Sequence, residues 1–164
     1  MNYMIRKIQE EDIDIVVGFA VEAWEPVFAS FKKVLGEEIF EFLRPNWREE
    51  QAKAVRNTCL NTDKYTTFVA DNNGKAVGFV CVTMNKESKV GEIDLLAVDP
   101  KAQGQNIGTE LNLHALDFMK ENGIVFAEVG TGGDPGHAPA RRAYEKAGFT
   151  GLPLMRYYKK LDES

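Results

Sequence analysis

Between Val98 and Thr109 the chain reads Val-Asp-Pro-Lys-Ala-Gln-Gly-Gln-Asn-Ile-Gly-Thr. Small residues between a strand and a helix leave backbone N–H groups uncovered, and a helix N-terminus adds partial positive charge. Such a turn can hold a phosphate. Gly104 and Gly108 do not have the Gly-x-Gly-x-x-Gly spacing of dinucleotide folds, and no Gly-Lys-Ser/Thr follows as in a P-loop. A plain tight turn is the other reading of the same residues. Downstream, His137, Ala140, Arg141 and Tyr144 fall at i, i+3, i+4 and i+7 of a short helix and share one face. Arg141, rather than Arg142, is therefore the candidate partner for an anion.

Other chemistries find little support. Cys59 and Cys81 do not make a disulfide framework, and Cys81, in the run Gly78-Phe79-Val80-Cys81-Val82, reads as a small core residue. His114 and His137 cannot build a zinc site without carboxylates or distant thiols, so no metal is expected. The net charge is −5, and neither the first 62 residues nor the remainder is basic. Binding to nucleic acid through its phosphates is thus disfavoured. A mildly acidic surface suits a cationic substrate, but it also serves solubility alone. Residues 1–14 are too charged for a secretory leader, and no run reaches the ~18 apolar residues of a membrane span. The expectation is a cytoplasmic protein with no membrane association.

The elements that must position this chemistry follow from periodicity. Met4–Ile8 reads as a strand, and the carboxylates of Glu10–Asp14 suit a helix start. Ile15–Leu60 reads as two or three aromatic-rich helices broken at Pro26 and Pro45. From Tyr65 the period becomes two: Tyr65–Ala70 and Ala76–Met84 flank Asp71-Asn72-Asn73-Gly74, a hairpin signal. A third strand runs from Val90 to Val98. Ile107–Asn122 has one apolar face (Ile107, Leu111, Ala115, Phe118), with Gly123 at its C-terminal cap. Ile124–Val129 reads as a strand, Gly130–Gly136 as a glycine-rich loop, then a short helix, and Leu152–Tyr158 as a final strand. The order predicts a mixed α/β (α+β) layer in a single domain, residues 1–164.

These residues and their order resemble the GCN5-related N-acetyltransferase family. Its acetyl-CoA signature is Gln/Arg-x-x-Gly-x-Gly/Ala; here it reads Gln103-Gly104-Gln105-Asn106-Ile107-Gly108, departing at Asn106. Asn is the non-glycine residue that best tolerates a left-handed backbone. Leu95-Leu96-Ala97-Val98-Asp99-Pro100 is similar to the strand that splays beside the pantetheine arm. Ala140-Arg141-Arg142-Ala143-Tyr144-Glu145-Lys146-Ala147-Gly148-Phe149 is similar to the Ala-x-x-x-Tyr-x-x-x-Gly-Phe ending. The resemblance implies a mostly antiparallel twisted central sheet, helices on both faces, and a splay at the acetyl-CoA site.

It also implies roles. The amine attacks the thioester directly in a ternary complex, so no cysteine nucleophile is needed. Tyr144 is the acid for the leaving thiolate, since a phenol of pKa ~10 is suited to that donation. Glu92 is the base, with Asp94 or a water relay as substitute. The amides of Leu96 and Val98 meet pantetheine and the thioester oxygen. Gln103, Gly104, Gln105, Asn106, Gly108 and Thr109 form the pyrophosphate turn. His137 stands where many members place a cofactor-contacting Asn, and Arg141 takes a phosphate. The acceptor, a small molecule or peptide amine, is expected beside Trp24, Phe28 and Trp47, with Phe31, Glu22 and Glu25 as further candidates; each aromatic can equally be core. Many relatives pair, so a homodimer is expected. The alternative to catalysis is an acyl-CoA-binding regulatory module.

Overall fold

The chain runs through β1 (Met4–Lys7), α1 (Ile13–Leu35), α2 (Glu37–Leu43), α3 (Trp47–Leu60), β2 (Thr66–Asn72), β3 (Lys75–Asn85), β4 (Val90–Val98), α4 (Ile107–Glu121), β5 (Phe126–Val129) and α5 (Ala138–Lys146). The computed structural model describes residues 3–162. They form two compact units: residues 3–24 with 48–130, and residues 25–47 with 131–162.

In the first unit the five strands lie in sequence order. β1 to β4 pair antiparallel and β4 pairs with β5 in parallel. The β2–β3 turn is the predicted one: Asn73 and Gly74 have φ of 55° and 88°, and two successive left-handed residues match a hairpin's twist. Asp71 Oδ1 closes it by accepting from Gly74 N–H at 2.6 Å. One sheet face is covered by Ile13, Val16, Val17, Phe19 and Ala20 of α1 with Val55 and Cys59 of α3, against Val69, Phe79, Cys81 and Ala97. The other is covered by α4, through buried Ile107, Leu111, Ala115 and Met119. The approach there is close: a Cβ on Gly78 would lie 2.9 Å from Leu111 Cδ1 and 3.0 Å from Ile107 Cγ2. Arg6 ties β1 to the start of α1 and to the hairpin, with Nη1 2.8 Å from Asp12 and Nε 2.7 Å from Asp71. The guanidinium's hydrogen bonds hold both carboxyls below their usual range.

The second unit packs aromatics. Phe28 and Trp47 stack at 4.3 Å, while Phe31 and Phe40 meet Phe28 edge-on. Tyr144 of α5 meets Phe149 edge-on at 5.7 Å.

Two expectations are corrected. Pro26 does not break the helix but lies inside α1. Both Pro26 and Glu22, whose carbonyl loses its helical donor, are exposed, so water can replace the missing bond. The final strand, Leu152–Tyr158, does not form; residues 147–162 contain no regular element. Tyr157 and Tyr158 suit a strand, but Pro153 cannot donate to a ladder, a strand needs a partner, and the last described ladder is β4–β5.

Candidate active site

The sheet is irregular at Ala70/Asp71 beside the hairpin and again in β4. The register of β4 against β3 passes from Cys81↔Leu95 to Val82↔Ile93, so Asp94 is an extra, bulged residue. Before the bulge Gly91 lies against Met119 of α4; after it, Leu96 and Val98 lie against Gly108. The residue parity facing α4 therefore switches at Asp94. Thr83, paired with Glu92, donates its hydroxyl to Asp94 Oδ2 at 2.9 Å, which places Glu92 and Asp94 on one face. β5 pairs only with Val90–Ile93. Among the described residues Leu95–Val98 consequently pair with β3 alone, leaving their other edge without a strand partner.

That edge leads into the signature turn. Asn106 adopts the left-handed conformation its side chain tolerates, φ 62° and ψ 15°, and no side chain caps the helix. Gln103, Gly104, Gln105 and Asn106 are exposed, and Gly108 and Thr109 are half-buried. Gln103 Nε2 donates to the Val98 carbonyl at 3.3 Å, tying the turn back to the end of β4. The amides at the start of α4 thus point outward with the helix's partial positive charge behind them. Amides so placed can accept an anion, and they adjoin the strand edge in one continuous stretch.

A cleft of about 610 Å³ opens beside the β4–β5 ladder, lined by Asp63, Lys64, Thr83, Glu92 and Glu128 among others. Glu92 and Glu128 are register partners. Burial, then Asp94 and Glu128, push the Glu92 carboxyl up from its ordinary value; burial also raises Asp94, against the Thr83 hydrogen bond. A carboxylate raised in this way is better suited to accept a proton.

In the second unit the loop before α5 is organised by side chains. Asp134 Oδ2 accepts from Ser30 Oγ at 2.6 Å, and Oδ1 lies 2.5 Å from His137 Nδ1. Arg141 Nη1 donates to the carbonyls of Gly132 and Asp134, at 2.6 and 2.8 Å. Arg141 Nη1 therefore braces the loop. Burial pushes the half-buried Tyr144 phenol up from its usual value, which keeps it protonated.

Trp24 is half-buried against the core of the first unit. Phe28 and Trp47, each 8% exposed, turn ring faces to one another; Phe31 packs on His137 at 5.3 Å. Glu22 and Glu25 are exposed. Sequence reasoning missed Asp63, Thr83 and Glu128 around Glu92, and Ser30 and Asp134 around His137. Asp134 carried one local signal, its place three residues before a histidine at a helix start. Among the described residues no group of His, Cys, Asp and Glu is arranged to hold a metal ion, and no helix is long and apolar enough to cross a membrane.

The fold joins an open strand edge to an uncapped helix N-terminus on a mostly antiparallel sheet. A model of the acetyltransferase (GNAT) family matches residues 32–149, more than half of the chain, and the chain belongs to that family. An uncharacterized N-acetyltransferase of Archaeoglobus fulgidus is 31% identical over 78% of this chain and 81% of its own. One from Methanocaldococcus jannaschii is 27% identical over 98% of this chain and 66% of its own. A mycothiol acetyltransferase of Sanguibacter keddieii is 38% identical over 54% of this chain, which spans only 29% of that protein's length. Among solved structures, the PaiA N-acetyltransferase of Thermoplasma acidophilum, in complex with coenzyme A, superposes with a TM-score of 0.72 at 22% identity, covering 92% of this chain and 91% of that one. An aminoglycoside acetyltransferase from an uncultured soil sample, in complex with sisomicin, gives 0.60 at 20% identity over 98% and 97%. At these identities the solved structures show the fold.

Proposed function

We propose that this chain is an acetyl-CoA-dependent N-acetyltransferase acting on a primary amine by direct attack in a ternary complex. The observation that carries the reading is the open edge of Leu95–Val98 running into the uncapped amides at the start of α4. An extended pantetheine arm can add to such an edge as a strand would, and a pyrophosphate can accept from the amides. The coenzyme A complex of the structurally similar PaiA N-acetyltransferase supports the same donor. The family match spans parts of both compact units, and we read them as one catalytic domain.

The donor, when bound, supplies an activated acetyl thioester; the chain's residues do the rest. The Val98 N–H stabilises charge building on the thioester oxygen. Glu92, raised by burial and neighbouring carboxylates, accepts the ammonium proton so that the nitrogen lone pair can attack. Tyr144 donates its proton to the sulfur as the C–S bond breaks; the second proton shed by the nitrogen leaves to solvent, which reprotonates the Tyr144 phenolate. Asp63, Glu92 and Glu128 give the cleft beside β4 a negative lining, which favours an acceptor that arrives as a cation. His137 and Arg141 are proposed to serve the donor, Trp24, Phe28 and Trp47 the acceptor, and a soluble cytoplasmic homodimer is the expected form.

Release of free CoA thiol, followed across a panel of primary amines, tests the reading. Turnover with at least one amine is the expected result. Tight acetyl-CoA binding with no turnover on any amine would favour the regulatory binding module instead.

A further inference from the structure

Among the described residues Asn112 of α4 is the most deeply buried polar side chain, 1% exposed, and neither its Nδ2 nor its Oδ1 has a hydrogen-bond partner among them. A buried carboxamide left in this way is costly, and such groups are rare in folded proteins. The packing of α4 shows where it is aimed. His114 and Phe118 lie on Phe68 of β2. Ile107 and Leu111 lie on Gly78 of β3, while Gly108 and Met119 lie on β4, at Val98 and at Gly91. At about 100° per residue these side chains run round the helix in the order of the strands they touch. Asn112 comes next, about 40° beyond Gly108 and about 20° beyond Met119, on the side where β5 lies.

Along the helix axis Asn112 stands about a third of the way from Gly108 to Met119. That height matches Asp94 and Leu95, just past Ile93, where the pairing of β4 with β5 ends. A helical side chain also tilts toward its helix's N-terminus, here toward the signature turn. The carboxamide therefore lies where β4 and β5 part, beside the edge of Leu95–Val98 that has no strand partner. Every residue of this arrangement belongs to the first compact unit. A leucine would fill the position without unpaired polar atoms, so the carboxamide suits a ligand more than it suits the unliganded core.

The ligand chemistry follows from the group. A carboxamide offers donors and an acceptor together, which matches another amide, and the pantetheine arm of coenzyme A carries two. We propose that Asn112 is a donor-binding residue whose carboxamide hydrogen-bonds an amide of the pantetheine arm lying along Leu95–Val98. It fixes the arm between the pyrophosphate turn and the Val98 N–H. The inference rests on the acetyl-CoA reading of this site and adds a side chain to a set of backbone contacts.

The test compares acetyl-CoA with 3′-phospho-ADP, which carries the same phosphates without the arm. In nitrogen-15 spectra of the unaltered protein, the Asn112 side-chain NH2 signals are expected to shift with acetyl-CoA and to stay in place with 3′-phospho-ADP. A shift with both ligands, or with neither, overturns the proposal. By isothermal titration, Asn112→Leu and Asn112→Ala are expected to weaken acetyl-CoA about tenfold and to leave 3′-phospho-ADP within about twofold. Equal weakening of both ligands means that the change acts through the turn, and unchanged acetyl-CoA affinity means that the carboxamide serves the fold or a buried water; each result overturns the proposal. If neither variant folds, the spectra of the unaltered protein decide. An unaltered chain that binds no acetyl-CoA overturns the donor reading together with this one, whereas tight binding with unmoved Asn112 signals overturns this one alone.

Discussion

Residues 3–24 with 48–130 present the proposed donor contacts through backbone, with Glu92 and Asn112 as side-chain roles beside them, whereas residues 25–47 with 131–162 present theirs through side chains. In the first unit a sheet with Val69, Phe79, Val80 and Cys81 fully buried fixes the course of β4, and the proposed donor contacts, Asn112 apart, are amides that any sequence of the right shape supplies. In the second, a loop ending in the 3-10 turn Pro135–His137 is held by Ser30, Asp134, His137 and Arg141. The first should be vulnerable to loss of packing and, Glu92 apart, tolerant of side-chain changes at the donor turn. The second should lose function before it loses stability.

The largest contrast is expected between Phe79→Ala and Ser30→Ala. Phe79 is fully buried, and its truncation should cost about 4 kcal/mol by transfer and cavity terms. Ser30→Ala leaves one carboxylate oxygen and one amide without a partner and should cost about 1 kcal/mol, yet lower turnover by unfixing His137. Urea unfolding with parallel kinetics reads both. Equal stability losses would erase the distinction.

Arg6→Met tests the polar exception within the first unit. Removing the guanidinium leaves Asp12 and Asp71 side by side and should cost about 2 kcal/mol at neutral pH, between surface and buried ion pairs. Both carboxyls are depressed in the folded chain. Their contribution is therefore present above the unfolded value near 4 and lost as pH falls through the lower folded values. The variant's deficit should shrink as the pH of the unfolding series is lowered through that window. A pH-independent deficit would mean that packing of the Arg6 stem, rather than charge, dominates.

Asn106→Gly should have the smallest effect. The residue is left-handed, so glycine relieves strain but loosens the unfolded chain. Stability should change by less than about 0.5 kcal/mol, with coenzyme A affinity retained, as isothermal titration can show. A tenfold loss of affinity would assign the site to the Asn106 side chain instead of the turn's backbone.

The same contrast explains what could be read from the chain alone. β4 and α4 were legible because strand period, the Asp99-Pro100 stop and the helix face are local signals. The turn's anion-binding character was legible from small residues at a strand–helix junction. The Asp94 bulge was not, since register depends on which residues of β3 and β4 meet. Ser30 and Asp134 are 104 residues apart, and no spacing rule joins them. The final strand was over-read from Leu152 to Tyr158 because residue types that suit a strand do not supply the neighbour it must pair with.

The acetyl-transfer account stands most directly on Tyr144, and one variant measured two ways tests it. Tyr144→Phe keeps the ring that meets Phe149 and removes only the hydroxyl. The account predicts that kcat for a turned-over amine falls by about 100-fold while the coenzyme A Kd is unchanged. An unchanged kcat would contradict the assignment of the leaving-group proton to Tyr144.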